Sequence, residues 1–163
     1  MITAQQPTDP CGTAVDEGYS TWLHELLSSA GQLAPVLDRI SAAMTDLDYS
    51  PKDVFGMRLA VEEAVVNSIK HGHKQDPTKE VSIRYRIDAD CVLVTIEDQG
   101  AGFNPDDVPD PTAPENWEKP GGRGVFLMRS YTTWTRFNAR GNRVTLCKYR
   151  TASSANLQRV SRS

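Results

Sequence analysis

The 163-residue sequence lacks any apolar run approaching the ~20 residues that a membrane-spanning helix needs. Its first residues have neither the basic start nor the apolar stretch of a secretory signal. Basic residues are not in excess, since 18 Lys and Arg against 21 Asp and Glu give a net charge of −3. That balance argues against a protein that works by non-specific contact with nucleic acid or an anionic membrane. The three cysteines are widely spaced and include no CxxC, which disfavours a disulfide framework or a zinc site and makes the reducing cytoplasm the expected compartment.

The length and composition predict a single domain over residues 19–150, with flexible tails at 1–18 and 151–163. Residues 21–28 are interpreted as a strand, with a short helix as the alternative. Apolar periodicity and turn residues predict the other elements, which are helices at 33–47, 51–70 and 125–131 and strands at 79–88, 91–97, 132–138 and 143–149. Hairpin-linked strands with inserted helices indicate an α+β two-layer sandwich.

Residues 100–124 differ in composition from the rest of the chain. They hold five of the ten prolines and five of the eleven glycines, so they cannot form a regular element. A loop of this length inside a compact domain is typically a functional lid or disordered. We predict a lid at about 101–124.

The helix that begins near Pro51 carries a candidate acid–base and metal-binding pair. At about 100° per residue, one face collects the predicted core residues Met57, Ala60, Val61, Ala64 and Ser68. Glu63 and Asn67 are four residues apart on the flank of that face, where both can look into a cleft. A carboxylate can deprotonate a hydroxyl, and an amide oxygen can ligate Mg²⁺. Taken alone, the pair is more simply a solvated flank. Glu62 faces away and is predicted to form a surface ion pair with Arg58.

Two glycine-containing motifs follow. Asp98-Gln99-Gly100-Ala101-Gly102-Phe103 comes directly after an apolar strand, and a carboxylate there can accept a hydrogen bond from the 6-amino group of adenine but would repel the carbonyl of guanine. Gly121-Gly122-Arg123-Gly124 precedes a helix, whose free N–H groups can bind an anion with help from the Arg123 guanidinium. A tight turn and a flexible hinge, respectively, are the ordinary structural alternatives.

Two histidines, His71 and His73, flank Gly72 at the predicted helix end. Without further ligands they do not make a metal site. The helical periodicity places His71 on the core side, where we expect a packed, hydrogen-bonded residue.

The order and spacing of these motifs resemble the N box and the two glycine boxes of the GHKL (Bergerat-fold) ATPases. The stretches LAVEEAVVNSIKHG, EDQGAGF and GGRGVFLMRS are most similar to those of the bacterial anti-sigma-factor serine kinases of the RsbW/SpoIIAB type. The resemblance covers about residues 20–150. It implies a Bergerat sandwich, a mixed, mainly antiparallel sheet covered by helices, with a mobile ATP lid. The chain departs from the family pattern at Ser68, at Val125 and at Asn142-Arg143, which stands where a Gly-Thr pair is usual.

The resemblance also implies roles for individual residues. Glu63 matches the general base that acts on an acceptor serine, Asn67 the Mg²⁺ ligand and Asp98 the acceptor for the adenine amine. The implied ATP-binding set consists of Asn67, Lys70, His71, Asp98, Gly100, Gly102, Phe103, Gly122, Arg123, Gly124, Val125 and Thr145.

The function implied is that of an ATP- and Mg²⁺-dependent protein serine kinase that acts as an anti-sigma factor. It would hold a sigma factor and phosphorylate a STAS-type anti-anti-sigma antagonist, as a cytoplasmic homodimer without direct nucleic-acid or membrane contacts. One alternative is a regulatory module that binds ATP without phosphotransfer, although such a module has no need of a base at Glu63. The other is the catalytic domain of a histidine kinase, disfavoured because only about 50 residues precede the helix of Glu63 and Asn67.

Overall fold

The computed structural model describes residues 21–118 and 121–151. Three helices and one five-stranded sheet form two layers, which confirms the predicted α+β sandwich. The helices are α1 (Leu33–Asp46), α2 (Pro51–Asn67) and α3 (Arg123–Tyr131), and the strands are β1 (Leu23–Leu27), β2 (Val81–Ile87), β3 (Cys91–Glu97), β4 (Trp134–Phe137) and β5 (Arg143–Tyr149). The predicted tail at 1–18 lies outside the described residues, as does that at 151–163 except for Thr151.

The sheet has the strand order β1-β2-β3-β5-β4. All four pairings between its described strands are antiparallel, which agrees with the mainly antiparallel sheet that the resemblance implied. Alternation along each strand sends one set of side chains toward the helices, including Ile83 of β2, Val94 of β3 and Leu146 of β5, all of them buried. The larger hydrophobic cluster of the described residues therefore lies between this face of the sheet and the three helices, and a smaller cluster around Leu93 lies on the opposite face.

Helix α2 crosses the middle of that core. Ser50 caps its N-terminus by accepting a hydrogen bond from the Asp53 amide at 3.1 Å, and Pro51 occupies the first turn, as the sequence predicts. The five residues predicted for its core face are all buried, as expected: Met57, Ala60, Val61, Ala64 and Ser68. Helix α3 packs antiparallel to α2, because Gly124 lies beside Asn67 while Tyr131 lies beside Gly56.

Three local predictions differ from the structure. Helix α2 ends at Asn67 and continues as one π-helical turn over Ser68–Gly72. Helix α3 begins at Arg123, two residues before the predicted start, so that Gly124 lies within its first turn. Arg58 forms its ion pair with Asp38 of α1 at 2.8 Å rather than with Glu62, because tertiary packing brings the Asp38 carboxylate to it.

In the described part of the predicted lid, the segment before α3 contains only two short 3₁₀ turns, Pro105–Asp107 and Pro114–Asn116. No helix in the described ranges is long and apolar enough to cross a bilayer.

Candidate functional site

A cavity of about 610 Å³ opens where the C-terminal part of α2, the end of β3 and the N-terminus of α3 meet. This volume lies within the range typical of small-molecule sites. Most of the residues predicted to bind a nucleotide line it: Asn67, His71, Asp98, Gly102, Phe103, Gly122, Arg123, Gly124 and Val125. Three motifs that are far apart in the sequence therefore share one cavity.

The α2 wall of the cavity carries the Glu63–Asn67 pair. Both side chains are partly buried, and both lie against the first turn of α3. A Cβ atom at Gly124 would lie 2.7 Å from Nδ2 of Asn67 and 3.1 Å from Oε2 of Glu63. Asn67 lines the cavity, whereas Glu63 lies beside it at the seam between the two helices. A group in the cavity can thus reach the amide, while Glu63 is placed for a reactant that approaches along the seam.

Asp98, at the end of β3, supplies a buried carboxylate that is only 9% exposed. Its Oδ1 accepts a hydrogen bond from the Gly100 amide at 2.8 Å. Gly72 packs directly against the carboxyl group, since a Cβ atom there would lie 2.5 Å from the carboxyl carbon. Among the described residues no donor is bonded to Oδ2, and Asp98 lines the cavity. One oxygen therefore remains to accept a hydrogen bond from a ligand.

The opposite end of the cavity is the N-terminus of α3. Gly122 is its N-cap, with a positive φ of 80°, and Gly121 to Val125 line the cavity. The first amides of a helix have no partner within it and carry the positive end of the helix dipole. With the exposed Arg123 guanidinium beside them, these amides can bind an anion.

The predicted lid closes part of the cavity. Val108 reaches the lining from this loop, and the Phe103 ring meets the Phe137 ring edge-on with 5.4 Å between centroids. The acidic side chains of the loop take no part in the lining. Three apolar residues of the loop, Ala101, Phe103 and Val108, thus line the cavity, and its acidic residues do not.

Lys70 and Thr145 are not brought to the cavity. Lys70 is exposed on the π-helical turn. Thr145 lies on the face of the sheet that points away from the helices, where its hydroxyl is 3.1 Å from that of Thr95, while its neighbour Val144 lines the cavity. Gly100 is also outside the lining, and lies beneath Asp98 against Gly72.

The two histidines beside Gly72 differ in burial. His71 is exposed at the cavity, so the prediction of a packed residue was wrong, and His73 is the buried one at 3% exposure. Nε2 of His73 accepts the Gln99 amide hydrogen at 2.9 Å. Asn142 was not among the predicted site residues. It is a buried polar residue at the cavity, and its side chain donates to the Asp98 carbonyl oxygen at 2.8 Å.

The donor set around the cavity limits the metal chemistry available. In the described parts of the chain, no three His, Cys, Asp or Glu side chains come together as a metal site. The Asn67 amide oxygen is suited to a hard cation that keeps most of its ligands as water or phosphate oxygens, which is the usual habit of Mg²⁺.

Comparison with known proteins gives a consistent result. The family model described as the histidine kinase-like ATPase domain matches residues 26–148. The chain is 32% identical over 97 residues to the serine-protein kinase RsbW of Bacillus licheniformis, covering 56% of this chain and 61% of that protein. It is 29% identical over 119 residues to RsbW of Bacillus subtilis strain 168, covering 68% of this chain and 73% of that one. It is 38% identical over 64 residues to the anti-sigma F factor of Clostridium perfringens, covering 39% of this chain and 46% of that protein.

Proposed function

Since the chain belongs to the histidine kinase-like ATPase domain family, we propose that it is an ATP-dependent protein serine kinase that also acts as an anti-sigma factor. The observation that carries this proposal is the meeting of Asn67, Asp98 and the N-terminus of α3 around one cavity. Each offers a different chemistry, and together they match a purine, a divalent cation and a phosphate chain.

The cavity has the features needed for ATP at both ends. Oδ2 of Asp98 can accept a hydrogen bond from the 6-amino group of adenine, whereas the carbonyl of guanine at that position would meet a second acceptor. The amides at the start of α3 can hold phosphate oxygens, and Gly124 leaves room between them and α2. Asn67 would hold Mg²⁺ through its amide oxygen.

Glu63 is the proposed general base for the acceptor serine. Mg-ATP would supply the γ-phosphoryl group to the serine oxygen, with ADP as the leaving group, and Mg²⁺ held by Asn67 would offset charge on the group in transfer. Glu63 accepts the hydroxyl proton from that serine at the α2–α3 seam. Glu63 lies outside the lining of the cavity, which supports a role toward the acceptor serine rather than toward the nucleotide.

The names of two relatives support the proposed partners. RsbW is named a serine-protein kinase, and the Clostridium relative is named an anti-sigma F factor. The proposed partners are accordingly a sigma factor, which the chain sequesters, and a STAS-type antagonist, which it phosphorylates on serine. The proposed state is a homodimer in the cytoplasm.

The proposal is tested by transfer from γ-³²P-labelled ATP to STAS-domain proteins encoded in the same genome. Glu63→Gln should lower the rate of serine labelling by roughly 10²-fold, the contribution typical of a general base, while ATP binding is kept. The adjacent Glu62→Gln is the matched control and should label at the wild-type rate, because Glu62 is exposed and faces away.

Two outcomes would overturn the kinase assignment. Labelling that is undiminished in Glu63→Gln would remove Glu63 from the reaction. Tight ATP binding by the wild type with no labelling of any STAS-domain protein would favour the alternative, a regulatory module that binds ATP without phosphotransfer.

A further inference from the structure

The turn between β4 and β5 is organised by one side chain, that of Asn138. Its Oδ1 accepts the amide hydrogens of Gly141, Asn142 and Arg143 at 2.8, 3.1 and 3.1 Å. Its Nδ2 donates to Oδ1 of Asn142 at 2.9 Å. Because Oδ1 of Asn142 is occupied as an acceptor, the Nδ2 group of the same side chain is directed the other way as a donor.

That donor is directed at Asp98. The Asp98 amide donates to the backbone oxygen of Asn142 at 2.9 Å, a bond that any residue at position 142 could accept. The second bond, from Nδ2 of Asn142 to the Asp98 carbonyl oxygen at 2.8 Å, requires an amide side chain. Asn142 is only 8% exposed, so its loss would leave a carbonyl unsatisfied next to the cavity.

The same peptide unit is held from its other side. The carbonyl of Asp98 and the amide of Gln99 belong to one planar group and point in opposite directions. Nε2 of His73 accepts the Gln99 amide hydrogen at 2.9 Å, which requires a neutral ring with its proton on Nδ1. Two buried side chains from separate segments thus clamp one peptide plane.

Fixing this plane fixes the carboxylate of Asp98. The orientation of the peptide sets the path of the chain to Gly100, whose amide holds Oδ1 at 2.8 Å. With Oδ1 held by the Gly100 amide and Gly72 packed against the carboxyl group, the carboxylate has little freedom to turn where Asp98 lines the cavity. A carboxylate held at the 6-position meets only the amine of adenine or the carbonyl of guanine, whereas one free to shift could also accept from the N1–H and 2-amino groups of guanine. Its fixed position therefore contributes to the discrimination between the two bases.

We propose that Asn142 and His73 are positioning residues that clamp the Asp98–Gln99 peptide and thereby set the preference of the site for adenine over guanine. This inference rests on the proposed function, because it takes the cavity to be the ATP site. It assigns purine selectivity to two residues that have no need to touch the nucleotide.

The test compares the affinities of the full chain for ATP and GTP by calorimetric titration. Asn142→Ala and His73→Phe should each weaken ATP binding roughly tenfold, as expected for the loss of one buried hydrogen bond, and should lower the ATP-to-GTP affinity ratio. His73→Gln, which offers an acceptor in place of Nε2, should recover most of that ratio.

Thr132→Val is the matched control for mere destabilisation. Thr132 is also 8% exposed and donates to the Met128 carbonyl oxygen at 2.6 Å, but it does not line the cavity. This variant should lose thermal stability and keep the wild-type ATP-to-GTP ratio. If Asn142→Ala and His73→Phe also keep that ratio, their role is structural and the inference is wrong.

A measurement without nucleotide separates this inference from the proposed function. Amide hydrogen exchange at Gln99 and Gly100 should become faster in Asn142→Ala and His73→Phe, and stay unchanged in Thr132→Val. Unchanged exchange in the first two variants would overturn the clamp. If exchange is faster in these two variants but the wild type shows no preference for ATP over GTP, the clamp stands and the proposed function is overturned, and the selectivity role with it.

Discussion

At the scale of single residues, the shape of the cavity depends on glycine, with no side chain, at position 124. Gly124 lies in the first turn of α3, directly against Asn67 and Glu63 of α2. A larger residue there would push the Asn67 side chain aside, because its Nδ2 would be 2.7 Å from the new Cβ atom. The proposed metal ligand keeps its place because position 124 has no side chain.

Gly124→Ala is therefore predicted to weaken the binding of Mg-ATP without lowering thermal stability. Alanine in a helix is favoured over glycine by up to about 1 kcal/mol, so thermal stability should hold or rise. Affinity for Mg-ATP should fall at least roughly tenfold, because one displaced ligand group costs more than about 1.4 kcal/mol. Thermal unfolding and titration of the same samples measure the two effects.

Gly31→Ala serves as the control for this prediction, since the nearest atom to a Cβ there is 3.9 Å away, outside the cavity. It should leave the affinity for Mg-ATP unchanged. Wild-type affinity in Gly124→Ala would show that the space beside Asn67 is not part of the site.

Single residues also mark where sequence reasoning failed and why. His71 was predicted to be packed because the α-helical repeat was extended past Asn67. The π-helical turn, in which the His73 amide bonds to the Ser68 oxygen at 2.8 Å, changes the phase and turns His71 outward. Such a turn has no local signature in the sequence. The opposite faces taken by Thr145 and Val144, by contrast, follow from strand alternation alone.

At the scale of elements, the start of α2 is tied to the last strand. The Asp53 carboxylate, 2% exposed, accepts hydrogen bonds from the Thr151 amide and hydroxyl at 2.9 and 2.7 Å and lies 3.3 Å from the Lys148 ammonium. Burial acts to raise the pKa of Asp53, but the Thr151 hydrogen bonds and the Lys148 charge outweigh it and hold the pKa below its ordinary value of 3.8. Helix α2, which carries Glu63 and Asn67, is thus fixed to the sheet at its far end.

Asp53→Asn should lower the free energy of unfolding by about 1–3 kcal/mol at neutral pH, because a buried charged hydrogen-bonding group is removed. Since folding lowers the Asp53 pKa, its stabilising contribution is present above 3.8 and is lost as pH falls through the folded-state pKa. The difference between wild type and variant should therefore shrink in acid. Urea unfolding at neutral and acid pH measures it.

The exposed Asp46, at the end of α1, provides the comparison. Asp46→Asn should change stability by less than about 0.5 kcal/mol. If the difference in the free energy of unfolding between the wild type and Asp53→Asn stays constant as the pH falls into the acid range, the assigned role of the Asp53 charge is contradicted.

Most elements were predictable because their signals are local. Ser50 and Pro51 mark the start of α2, and apolar residues bounded by turn residues mark β3 and β5, whose predicted bounds 91–97 and 143–149 match the structure. The start of α3 was placed two residues late because glycine was interpreted as loop. The partner of Arg58 could not be predicted from helix spacing, since Asp38 belongs to another helix.

At the scale of the whole molecule, one arrangement explains why distant motifs act together. The antiparallel packing of α3 on α2 brings the Gly122–Gly124 stretch to Glu63 and Asn67, and the sheet order places the end of β3 beneath them. Order and spacing of the motifs indicated this meeting through resemblance to a known family. The clamp formed by His73 and Asn142 was not predictable, because it depends on the contact between the β4–β5 turn and the end of β3.

The most direct test of the whole account is a calorimetric titration of the chain with Mg-ATP, with Mg-GTP as the control nucleotide and Asp98→Asn and Asn67→Ala as variants. The account predicts binding of Mg-ATP in preference to Mg-GTP, with the binding lost or strongly weakened in both variants. Absence of Mg-ATP binding by the wild type, or equal binding of the two nucleotides, would contradict it.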